Sequence, residues 1–144
     1  MARREILPIL LALLWAHTLA AEEIAVIVHP ERIVSLRTAE ITQIFLKQRR
    51  FWGNGDAIVP VNRDAGSPAR EEFAHTIFGD HSRAQVAYWN REYFRGVLPP
   101  ITFASDESVL RFVASDPRAV GYVPASLVDD TVRVAARISV QTGH

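Results

Sequence analysis

Ile24-Ala25-Val26-Ile27-Val28 is an unbroken apolar run, closed off by His29 and Pro30. A strand with one wet face alternates apolar and polar residues, so a continuous run needs cover on both faces. The run therefore reads as a strand buried on both faces, as in a sheet with helices on either side. The rest of the chain supplies them. Leu36, Ile41, Ile44 and Phe45 fall at helical spacing, with Thr38 as N-cap and Glu40 in the first turn. Residues 51–56 form a turn with two glycines. Residues 58–62 read as a second strand. Ser67 then opens a helix with Pro68 at its first position, where the missing N–H costs nothing, and Gly79 stops it.

A third helix spans residues 82–94, with Val86, Trp89 and Tyr93 on its apolar stripe, and is broken by Gly96 and Pro99-Pro100. Tyr88, Trp89 and Phe94 cannot all face one way, which leaves aromatic surface exposed. Residues 101–103 form a short strand. Ser105 caps a fourth helix, whose Asp106 and Glu107 favour the positive end of its dipole, and Val109, Leu110 and Val113 face the core. Residues 120–123 and 132–135 are the last strands, with Asp129-Asp130 as a turn between them. This order of elements predicts an α/β domain with a mostly parallel sheet.

The N-terminus has a different character. Arg3 and Arg4 precede an apolar run at residues 6–15, and Thr18-Leu19-Ala20-Ala21 offers small residues for a signal peptidase. The run is short of the roughly 20 residues a spanning helix needs. Residues 1–21 therefore read as a cleavable signal peptide, with an uncleaved anchor as the alternative. Residues 22–144 form one domain, expected to be periplasmic or secreted and without a transmembrane segment.

Composition narrows the function classes. The 16 basic and 16 acidic residues cancel, so there is no basic excess to displace counterions from nucleic acid. The chain has no cysteine, which removes disulfide scaffolds, thiolate metal sites and thiol nucleophiles. His75 and His81 are not at the i, i+4 spacing of a helical metal pair. No Gly-x-Ser-x-Gly elbow occurs. The reading is of a non-enzyme with neither metal nor cofactor.

The junction that carries chemistry is Asn62-Arg63-Asp64-Ala65-Gly66-Ser67-Pro68. A buried strand runs into a short loop and a Ser-capped helix, whose first-turn N–H groups and dipole favour an anion. Arg63 supplies a guanidinium fork, Gly66 allows close backbone approach, Ser67 offers a hydroxyl, and Arg70 lies at the same helix end. The alternative is a plain helix start, with Arg63 paired to Asp64 or Glu71 on the surface.

Taken in order, residues 24–30, Ile44-Phe45-Leu46, Phe51-Trp52-Gly53-Asn54-Gly55, residues 58–63, Gly66-Ser67, Phe73 and Ala119-Val120-Gly121-Tyr122-Val123 resemble the second lobe of phosphate-binding proteins of ABC importers. These belong to the type 2 periplasmic binding protein superfamily. The resemblance covers nearly the whole mature chain and implies a small, single-lobe member. It implies phosphate or a similar oxyanion as ligand, with Arg63 and Ser67 matching the Arg and Ser of the family's phosphate loop. Pro68 and Ala69 stand where that loop has Gly and Thr, which removes a backbone donor and a hydroxyl. Two functions follow as expectations. One is weak oxyanion binding linked to a membrane transporter or sensor protein. The other is an exported protein-interaction module that has lost the ligand.

Overall fold

The structure is a computed structural model and describes residues 23–79 and 82–139. The signal-peptide reading of residues 1–21 lies outside these. Strand β1 (Ile24–Val28) leads to helix α1 (Thr38–Phe45), strand β2 (Val59–Arg63), helices α2 (Pro68–Phe78) and α3 (Ser82–Phe94), and strand β3 (Ile101–Phe103). Helix α4 (Asp106–Ser115), strand β4 (Ala119–Pro124) and strand β5 (Arg133–Ile138) complete the domain.

The five strands form one sheet in the order β3-β2-β4-β1-β5. Strand β2 is parallel to both β3 and β4, whereas β1 is antiparallel to β4 and to β5. Four strands thus run one way and β1 runs against them. An apolar run buried on both faces looks the same in either direction, so the run in β1 could not reveal the reversal.

All five residues of β1 are buried. Ile24, Val26 and Val28 join Val120 and Tyr122 against Ile41, Ile44 and Phe45 of α1 and Phe73 and Ile77 of α2. Ala25 and Ile27 face the other way, with Val61, Ala119 and Val123, against Val109 and Val113 of α4. The side-chain period of two along each strand sorts the sheet into these two cores. On the α1–α2 side, the Tyr122 ring stacks on Phe73 with centroids 3.9 Å apart, and Phe45 meets Phe73 edge-on at 4.7 Å.

Helix boundaries follow local chemistry. Ser67 and Ser105 are N-caps, accepting from the Arg70 and Ser108 N–H groups. Gly79 ends α2 with φ of 63°, which costs a glycine nothing. Helix α1 departs from expectation: its cap position is Arg37, with no side-chain cap bond, and Thr38 is already helical. An Arg37–Glu40 ion pair spans that first turn instead. Helix α3 departs further, because Val86 and Tyr93 are exposed rather than core-facing. The helix packs through its other side, where the Tyr88 hydroxyl donates to the Leu46 carbonyl at 2.7 Å.

Candidate functional site

Parallel pairing of β2 with β3 sets Arg63 opposite Phe103. The turn into α4 therefore lies beside the turn into α2, and side chains from both meet at Arg63. Its Nε donates to the Phe103 carbonyl at 3.2 Å. Nη1 donates to Asp106, and Nη2 donates to Asp64 and to the Ala104 carbonyl. Four of the five guanidinium N–H groups are thus engaged, on a side chain only 11% exposed. Of the two partners considered from sequence, Asp64 pairs with Arg63. A second carboxylate partner is Asp106, which the sequence marks only as a first-turn residue of α4.

The other residues of the junction take distinct positions. Ser67 is buried, and its Oγ is occupied as cap acceptor for the Arg70 N–H at 3.3 Å. Gly66 is exposed, and a Cβ built there would touch nothing within 4 Å. Arg70 anchors through Nη1 to the Arg63 carbonyl at 2.8 Å. Among the described residues no carboxylate lies within ion-pair distance of it. Two arginines thus stand around one helix start, one paired with carboxylates and one without a carboxylate partner among the described residues.

Beside this junction a cavity of about 410 Å³ opens between α2 and α3, at the ends of β2 and β3. Of the four residues expected to hold an anion, Arg70 lines it; Arg63, Gly66 and Ser67 do not. Asn62, Thr102 and Gln85 add polar groups to its wall, and Phe78, Trp89 and Pro100 add apolar ones. The orientation of Asn62 is fixed: its Oδ1 accepts from the Tyr122 hydroxyl and, at 3.1 Å, from the Arg63 N–H. Burial, chiefly, raises the Tyr122 pKa well above the usual phenol range, so it remains a donor. No spacing pattern marks Asn62, Gln85 and Thr102 in advance, because they come from three elements that meet only in the fold.

Among the described residues no group of three or more His, Asp or Glu could hold a metal ion. None of the described helices is long and apolar enough to cross a membrane.

No family model matches the sequence, and no curated protein matches it. Solved structures do. A phosphate ABC transporter substrate-binding protein with bound phosphate from Clostridium perfringens superposes with a TM-score of 0.67 at 23% identity, over 80% of this chain and 44% of its own. An ABC-type phosphate transport receptor from Vibrio cholerae gives 0.64 at 18%, over 80% and 46%. PstS from Borrelia burgdorferi gives 0.62 at 14%, over 87% and 49%. The chain spans less than half the length of each. Its fold is that of a single lobe of the type 2 periplasmic-binding-protein architecture, as found in phosphate-binding proteins of ABC transporters.

Proposed function

We propose that the protein is an exported, non-enzymatic lobe of the solute-binding kind, which holds phosphate or a similar oxyanion weakly and serves a membrane transporter or a sensor protein. The observation that carries this reading is Arg70, a guanidinium on the first turn of α2 with no carboxylate partner among the described residues. Around it, Gly66 leaves the approach to the helix end open. Arg63 contributes less, since Asp106 and Asp64 already balance its charge. A guanidinium fork can make two charge-assisted hydrogen bonds of roughly 1.5–3 kcal/mol each, which together bracket the about 4 kcal/mol of millimolar affinity. Binding in the millimolar range is therefore the expectation.

Calorimetric titration with phosphate, sulfate and molybdate at low salt tests it. Heat of binding is expected with at least one of them, at least tenfold weaker in Arg70→Ala. Silence with all three at millimolar ligand rejects the reading.

A second reading is a protein-interaction module without a ligand. Two observations favour it: the engagement of Arg63 by its own chain, and the exposure of Val86, Tyr93, Phe94 and Leu98 on and after α3. Silent titrations would put this reading first.

A further inference from the structure

We infer that the cavity between α2 and α3 takes a small organic anion, with a carboxylate or phosphate head at Arg70 and an apolar body between Phe78, Trp89 and Pro100. This rests on the oxyanion reading and names the ligand class for the same site.

Three observations lead to it. First, the polar groups on the wall include donors with nothing of their own to bind. Gln85 Nε2 is buried with no hydrogen-bond partner, an arrangement that costs free energy unless an acceptor arrives. Asn62 has its oxygen committed to Tyr122 and to the Arg63 N–H, which turns its NH2 away from them. Arg70 brings a cation that is anchored to the Arg63 carbonyl and has no carboxylate partner among the described residues. A guanidinium and two amide NH2 groups fit a head made only of acceptors, which is what a carboxylate or phosphate offers.

Second, the space is too large and too apolar for an inorganic oxyanion alone. The volume is about 410 Å³, whereas a water occupies about 30 Å³ of liquid, and a five-atom anion would fill a minor part. Volumes of this order are typical of pockets for organic ligands, which are mostly apolar with a few placed polar groups. Phe45, Phe78, Val86, Trp89 and the Pro99-Pro100 pair supply such walls here.

Third, Glu71 also lines the cavity. Its carboxylate disfavours a second anionic group, so one head and one uncharged body fit better than a dianion charged at both ends.

The test compares phenyl phosphate, phenylacetate, inorganic phosphate and benzyl alcohol on the same protein, by titration and by NMR of the Gln85 side-chain NH2 and the Trp89 indole. Phenyl phosphate or phenylacetate is expected to bind at least tenfold more tightly than inorganic phosphate and to shift both signals. Arg70→Gln is expected to lose most of that affinity, and Gln85→Leu part of it. Which of the two aryl anions binds better separates a phosphate head from a carboxylate head. Inorganic phosphate binding as tightly as the better of the two aryl anions overturns the inference while leaving oxyanion binding intact. Benzyl alcohol binding as well as the anions overturns it by removing the need for a charged head. Failure of all four probes overturns the inference; the oxyanion reading beneath it falls only if sulfate and molybdate are silent as well.

Discussion

Gly121 sits where α4 comes closest to the sheet. A Cβ there would stand 2.8 Å from both Val109 Cγ1 and Val61 Cγ2. Both neighbours are buried and β-branched, so neither can swing away. Gly121→Ala should therefore destabilise the protein by about 1–3 kcal/mol through overpacking, read as a lower urea midpoint with unchanged slope. Gly66→Ala should be near neutral in the same assay, since open space surrounds that position. Tyr122→Phe probes a different cost. It keeps the stack on Phe73 but removes the donor to Asn62 and a second acceptor for the Arg63 N–H. A loss of about 1 kcal/mol is expected, as for one buried hydrogen bond. It should come with a shift of the Asn62 side-chain NMR signal, because that amide loses one of the bonds that orient it.

At the scale of the element, each helix start has its own chemistry. Ser67→Ala and Ser105→Ala should each cost roughly 0.5–2 kcal/mol by thermal denaturation, the usual range for a lost cap. Ser105→Ala should leave anion binding unchanged, because its hydroxyl serves only the first turn of α4. Helix α1 lacks a side-chain cap and relies on Glu40, which accepts from Arg37 and Arg49 at 2.7 Å each. Those bonds, Arg37's first, hold the Glu40 carboxyl below its ordinary value of 4.5. A lowered acid pKa stabilises the fold fully above that ordinary value and loses the effect as pH falls through the lowered one. The gap in urea midpoint between the protein and Glu40→Gln should thus be present at neutral pH and shrink below pH 4.5. A gap that stays constant with pH would count against this role.

For the whole molecule, two features stand together: a lobe of less than half the length of its structural neighbours, and apolar side chains left in water on and after α3. Tyr93 and Phe94 are 64% and 89% exposed. The basic start, apolar run and small residues of the first 21 positions predict export with cleavage near Ala20 or Ala21. Intact mass of protein recovered from the secreted or periplasmic fraction checks this. A mass that still includes residues 1–19 would reject cleavage.

The sequence by itself determined the order of the elements and the cover of β1 on both faces. The unbroken run at Ile24–Val28, the Ser-Pro start of α2 and the Ser105 cap each act within a few residues, and each is found where the pattern puts it. The family resemblance, carried by an ordered set of short pieces, likewise predicts the lobe whose fold the structure shows. Tertiary structure decided the direction of β1, the partner of Arg63 and the place of the cavity. Direction is invisible to a strand buried on both faces. Asp106 lies far from Arg63 in the chain and meets it only because β2 and β3 pair in parallel. The exposure of Val86 and Tyr93 has the same origin: spacing gives a helix its apolar stripe, but only the neighbouring elements decide whether anything covers it.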